Sequence, residues 1–227
     1  MDYVAHRGYA EEFPENTLSA FRGAAASADW IEFDVRRCGS GELVVCHDGT
    51  LERLADDERT VGCTPWSELR TVEVLGSGET IPRLDDALDA IPPDVGVQIE
   101  LKELDTAADV LAATADHDNP AILISFSPLA LREAREADPD APLGYVLHDG
   151  IYGDDPELGI DTAANLGCEA VHMYYATGSE PAVVEYAHDH GLAVQTAVPE
   201  AGPTEGVLET CRTAGVDRLS TDERPEH

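Results

Sequence analysis

The sequence predicts an α/β protein built as a closed TIM (β/α)8 barrel, and three observations carry that prediction. Short apolar runs alternate with helix-like segments along the whole chain, which is how parallel strands and their crossover helices read in sequence. The length, 227 residues, suffices for one large core and lies within the range of single barrels, so residues 1–227 read as one domain. Neither G-x-G-x-x-G nor G-x-x-x-x-G-K with a following Ser or Thr occurs, so an open doubly wound sheet, the alternative, lacks a nucleotide-binding loop to support it.

The first strand runs from about Tyr3 to His6 and leaves through His6-Arg7-Gly8, a titratable group and a fixed cation at one strand end. Gly8 allows the chain to turn sharply there. Asn16 or Thr17 caps a helix over Thr17 to Ala26, with Leu18, Phe21 and Arg22 at helical spacing. The second strand, Trp30 to Val35, alternates so that Glu32 and Asp34 face one way and Ile31, Phe33 and Val35 the other. Gly39-Ser40-Gly41 signals a hairpin, and the return near residues 36–47 ends in the apolar run Leu43 to His47. A turn about Ser40 sets Asp34 opposite Cys46 or His47, so local geometry alone brings His47 to the two carboxylates.

Residues 48–80 read as a small irregular cap with Trp66 and Leu69 as its buried anchors, either a functional cover or a connector. Helical spacing returns at Leu84, Ala87, Leu88 and Ile91 and stops at Pro92-Pro93. The strand Val95 to Leu101 then delivers Glu100 and Lys102. Further strands are expected at Ala121–Ser125, Leu143–Leu147, Ala170–Met173, Leu192–Thr196 and Asp217–Ser220, with helices at about Thr106–Ala115, Pro128–Ala137, Pro181–His190 and Thr204–Thr213. That makes nine strand candidates for eight places. Either the hairpin return or the last short run is the extra one.

Acidic residues number 46 against 14 basic ones, a formal charge of −32, spread along the chain rather than gathered in a tail. Such a surface offers no basic patch to nucleic acid or an anionic membrane and implies adaptation to high salt. Screening there falls to about 3 Å at 1 M salt, so only charges in direct contact would act on an anionic substrate. The five cysteines, Cys38, Cys46, Cys63, Cys168 and Cys211, include no C-x-x-C pair, which disfavours a disulfide framework or a zinc site. Cys46, inside an apolar run, reads as a small buried hydrophobe. A first strand beginning almost at Met1 and the lack of a long apolar run give the expectation of a cytoplasmic protein without stable membrane insertion. Lys102 is the only lysine, so a solvated surface role is a poor account of it; two residues after Glu100, it faces the same side of the strand.

Glu32, Asp34 and Glu100 are expected at neighbouring strand ends. Three close carboxylates raise one another's pKa values and need a cation, and an all-oxygen set suits Mg²⁺, Ca²⁺ or Mn²⁺. In a chain where about one residue in five is acidic, three separate solvated acids are the competing account. Strand placement favours the metal.

Taken in chain order, His6-Arg7-Gly8, Pro14-Glu15-Asn16-Thr17, Glu32-x-Asp34, His47-Asp48 and Glu100-x-Lys102, with weaker echoes at Ser125-Phe126 and Thr221-Asp222, resemble the signature of the glycerophosphodiester phosphodiesterase family. The resemblance implies a metal-dependent phosphodiesterase whose small-molecule substrate is split into glycerol phosphate and an alcohol. In that family a glycerol hydroxyl is held to attack first, giving a cyclic phosphate that water opens. His6 and His47 would be the acid–base pair, and Arg7 and Lys102 would hold the non-bridging phosphate oxygens. Glu15 and Asn16 would orient Arg7, or cap the first helix. The histidines at 117, 148, 172, 188, 190 and 227 match no motif and are assigned structural roles, and Tyr174 and Tyr175 are assigned to packing ahead of a glycerol pocket. Where the family often carries W-T-V-N on the eighth strand, this chain has Gln195-Thr196-Ala197-Val198, which concerns the glycerol side of the pocket more than the chemistry at phosphorus. Two other readings stand beside the first: a phospholipase D-like or phosphoinositide-type lipid phosphodiesterase, and a non-catalytic metal-binding barrel. A homo-oligomer stays open.

Overall fold

Eight parallel strands close on themselves in the computed structural model, which describes residues 1–153, 155–198 and 202–225. In chain order the strands are β1 (Asp2–Ala5), β2 (Trp30–Arg37), β3 (Leu43–Val45), β4 (Thr50–Leu51), β5 (Asp57–Thr60), β6 (Gly96–Leu101), β7 (Ala121–Ser125), β8 (Leu143–Val146), β9 (Ala170–Met173), β10 (Ala193–Ala197) and β11 (Arg218–Thr221). The ring runs β1-β2-β6-β7-β8-β9-β10-β11 and returns to β1. β3 lies outside it, antiparallel to β2, with Val35 opposite Val45. The hairpin return is therefore the extra strand, and the last short run closes the barrel against β1. The run Gln195-Thr196-Ala197 sits on the seventh strand of the ring, one place earlier than a count including the hairpin suggests.

Alternation on β2 divides the molecule as expected. Ile31, Phe33 and Val35 are fully buried in the main core beneath the helices, while Glu32 and Asp34 face the barrel axis. The interior is unusually polar for a barrel normally filled by branched apolar side chains. Gln98 and Gln195 meet across it in a reciprocal amide pair at 2.7 and 3.1 Å. Gly8 has φ +80°, and a Cβ there would fall 2.8 Å from that of Ala20, so the turn after β1 and the close approach of the first helix both require glycine.

Besides short helices at Asp149–Tyr152 and Tyr175–Gly178, two segments differ from the sequence reading. The cap is not irregular: β4 and β5 pair antiparallel, a short helix at Glu52–Ala55 joins them and another follows at Trp66–Leu69, and a second core gathers Val44, Cys46, Leu51, Leu54, Val61 and Leu69. Leu69 is fully buried, whereas Trp66 is only half-buried against this core. Elements of two to four residues are too short for periodicity to register. A helix over Pro156–Asn165, not anticipated, buries Gly159, Ile160 and Ala163, of which only Ile160 is a large apolar residue, too little to mark an apolar stripe. Its start was marked all the same: Asp155 caps Leu158, and Pro156 occupies the first turn. Among the described residues no helix is long and apolar enough to cross a membrane. His227 lies outside the described residues.

Candidate active site

Register brings the acids together. On the paired strands β2 and β6, Asp34 stands opposite Glu100 and Glu32 opposite Gln98. All three carboxylates are buried, and each offers an oxygen within 4.8 Å of the others. Lys102 follows β6 directly and sets its Nζ 2.7 Å from Glu100 Oε1 and 3.0 Å from Asp34 Oδ1. Arg7 brings Nε to 3.4 Å from Asp34 Oδ2, and its backbone N–H donates to Glu32 Oε2 at 3.0 Å. Asn16 donates from Nδ2 to Asp34 Oδ2 at 2.8 Å. It thus steadies a carboxylate, and Thr17 caps the helix instead, accepting from Ala20 N–H.

The charge balance shows what the trio can hold. Burial pushes Glu32 up to about 8, and the neighbouring Asp34 carboxylate adds to the rise. Burial would raise Asp34 as well, but Lys102 and Arg7 outweigh it and hold that carboxyl down at about 2. Glu100 is raised by burial and by Asp34, despite Lys102. Two cations therefore do not keep all three carboxylates ionised, and Asp34 Oδ1 accepts no well-directed hydrogen bond. A buried, all-oxygen set short of positive charge fits a hard divalent cation.

Both imidazoles are anchored in the same fashion. His6 Nδ1 lies 2.6 Å from Asp222 Oδ1 and His47 Nδ1 lies 2.7 Å from Asp48 Oδ1. Each ring keeps Nε2 for other partners, and that of His6 is 3.9 Å from Glu32. The two rings line one cavity of about 260 Å³ with Arg7, Glu32, Glu100 and Lys102, at the C-terminal ends of the strands. Arg7 holds φ at +49°, a left-handed conformation rare outside glycine, which turns its guanidinium back over the strand ends.

Arg53, from the short helix of the cap, has no signal in the sequence, yet it organises this site. Its guanidinium pairs with Glu15 through Nη1 at 2.6 Å and Nη2 at 2.7 Å, and with Asp48 through Nε at 2.7 Å. Glu15 in turn accepts from Arg7 Nη1 at 3.1 Å. Asp222, seen in the sequence only as a weak echo, is the partner that fixes His6. Of the histidines assigned to structure, His117 pairs with Asp89 and His188 with Asp217, whereas His172 lines the cavity itself.

The imidazole environments predict opposite titrations. Burial lowers His6, but its hydrogen bond to Asp222 and the charge of Glu32 outweigh that, so His6 stays protonated above the usual 6.5. Burial lowers His47, with Lys102 and Arg7 adding to it against Asp34 and Asp48, so His47 loses its proton below 6.5. Imidazole resonances followed by NMR in chelator-containing buffer should titrate in that order; coincident midpoints would refute it.

The model of the Glycerophosphoryl diester phosphodiesterase family matches residues 6–223. A glycerophosphodiester phosphodiesterase of Caldanaerobacter subterraneus subsp. tengcongensis is 27% identical over 97% of this chain and 93% of its own. Among solved structures, the glycerophosphodiester phosphodiesterase of Thermotoga maritima superposes with a TM-score of 0.82 at 27% identity, covering 98% of this chain and 95% of that one. An Oleispira antarctica phosphodiesterase in complex with the product sn-glycerol-3-phosphate superposes with a TM-score of 0.85 at 26% identity, over 98% and 93%. With its barrel closed and its signature residues gathered at one rim, the chain belongs to the glycerophosphoryl diester phosphodiesterase family.

Proposed function

We propose that this protein hydrolyses glycerophosphodiesters to glycerol phosphate and an alcohol, using His6 and His47 as the acid–base pair. The observation that carries the reading is the meeting, in one cavity, of two aspartate-anchored imidazoles with a buried acid trio and two cations. Glu32, Asp34 and Glu100 would hold the divalent ion, Mg²⁺, Ca²⁺ or Mn²⁺, which when bound would supply positive charge against the negative charge on the phosphoryl oxygens.

This chain's own groups do the rest. Arg7 directs a planar guanidinium at the non-bridging oxygens, and Lys102, whose directed hydrogen bond goes to Glu100 Oε1, keeps donors for them while its charge faces Asp34. One imidazole takes the proton from the attacking oxygen as its bond to phosphorus forms. The other gives a proton to the leaving alkoxide as the second P–O bond breaks, which leaves the first ring protonated and the second neutral. Where the attacking oxygen is a glycerol hydroxyl the product is a cyclic phosphate, and water opens it with the two roles exchanged, so that both rings return to their starting states and one water is consumed. Asp222 and Asp48 hold the Nδ1 edges, which fixes the tautomers that present Nε2 to substrate.

The test is release of glycerol phosphate from glycerophosphocholine or glycerophosphoglycerol in high salt, with and without chelator. Chelation should lower the rate at least about a hundredfold, and added Mg²⁺, Mn²⁺ or Ca²⁺ should restore it. Undiminished activity in chelator would remove the metal from the mechanism.

A further inference from the structure

By the time the chain reaches His47 it has left the sheet. The β2–β3 ladder ends at Cys46, whose N–H donates to Asp34 O at 2.9 Å. Beyond that point, the only main-chain hydrogen bond at His47 among the described residues is the one its carbonyl accepts from Arg36 Nε, at 2.9 Å.

Arg36 is placed for this by β2. Period-two alternation sets it on the same face as Glu32 and Asp34, one step nearer the rim. Its side chain is 19% exposed, and its guanidinium lies against Gly49, where a Cβ would stand 3.7 Å from Nη1. Nη1 also faces Glu103 Oε2 at 3.7 Å, while Arg37 N–H donates to Glu103 Oε1. The loop that leaves β6 thus braces the guanidinium under the turn that carries His47.

These contacts stay on the His47 side of the cavity. Lys102 keeps its hydrogen bond to Glu100 and its N–H bond to Val35 O, and Arg7 is held through Glu15 and Asp34. Asp48 orients the His47 ring through Nδ1. A fixed ring orientation still leaves the reach of Nε2 into the cavity to the main chain that bears it.

We propose that Arg36 is a positioning residue, whose Nε bond to the His47 carbonyl sets how far that imidazole reaches toward a bound phosphodiester. The inference rests on the role given to His47 in the glycerophosphodiesterase reading above.

Arg36→Met and Arg36→Gln separate the bond from the packing. Methionine keeps the stem and loses every donor, whereas a glutamine amide nitrogen can stand where Arg36 Nε does. With glycerophosphocholine in Mg²⁺-containing buffer, Arg36→Met should lose at least about tenfold in kcat with KM within about twofold, because displacing a reacting group by about an ångström costs up to about a hundredfold. Arg36→Gln should keep kcat within about threefold of the unaltered protein. The His47 imidazole resonances should shift in Arg36→Met and those of His6 should not, a readout that needs no turnover. An undiminished kcat in Arg36→Met, a rise in KM matching the fall in kcat, a glutamine variant as slow as the methionine one, or unmoved His47 resonances would overturn the assignment. Failure of the unaltered protein to cleave glycerophosphocholine, or a normal rate in His47→Ala, would instead overturn the reading on which it rests.

Discussion

Replacing either His6 or His47 by alanine should lower kcat for glycerophosphocholine by about a thousandfold, with the fold intact. A positioned acid or base contributes roughly 10² to 10⁴ in rate, and in the proposed mechanism each ring would serve a different oxygen of the same displacement. Neither substitution opens the core, since the His6 side chain is 35% exposed and that of His47 33%. The double variant should be little slower than the worse single one, because two groups acting in one step do not contribute additively. Asp222→Asn makes the sharper control: it leaves the His6 ring in place but removes the carboxylate that fixes its Nδ1 proton. Its loss should fall between unaltered protein and His6→Ala. Initial rates with circular dichroism on the same samples decide the matter. A near-normal rate in either alanine variant strikes that histidine from the mechanism.

Much of this arrangement is legible in the sequence. Period-two alternation on β2 commits Glu32 and Asp34 to one face, and the hairpin about Ser40 fixes Cys46 against Asp34, with Cys46 N–H donating to Asp34 O at 2.9 Å. Lys102 stood out because the chain keeps no other lysine. What sequence could not supply was closure. Whether Arg218–Thr221 or Leu43–Val45 completes the ring depends on pairing across more than two hundred residues, between β11 and β1. Nor could it single out the acids that matter for orientation. With 46 acidic residues, every arginine has an acid within easy reach in sequence, so the pairing of Arg53 with Glu15, 38 positions away, carries no local signature. The four-residue helix that bears Arg53 is too short to show a period, and its placement is set by the cap's own core.

That placement makes Arg53 a further residue whose loss should be severe, although it touches no reacting atom. Its fork of donors holds Glu15, which holds Arg7, and its Nε holds Asp48, which holds His47. One guanidinium thereby sets Arg7, the cation proposed to bind phosphate, and one imidazole in register. Burial would raise Glu15, but the hydrogen bonds from Arg53 and the charge of Arg7 outweigh it and keep that carboxyl ionised. In Arg53→Ala the buried Glu15 loses two charge-assisted bonds, costing about 1 to 2 kcal/mol, a figure held low because the Arg53 side chain is 45% exposed. The kinetic loss should be larger, about a hundredfold in kcat/KM, since misplacing both groups by an ångström weakens phosphate binding and proton transfer together. Both KM and kcat should therefore move, which a purely structural contact would not require. Arg53→Lys should recover little, because an ammonium cannot span two oxygens of Glu15 and one of Asp48 at once. Should Arg53→Ala stay within threefold of the unaltered protein while losing the same stability, the cap would be a covering for β3 and the active site would be organised by the barrel alone.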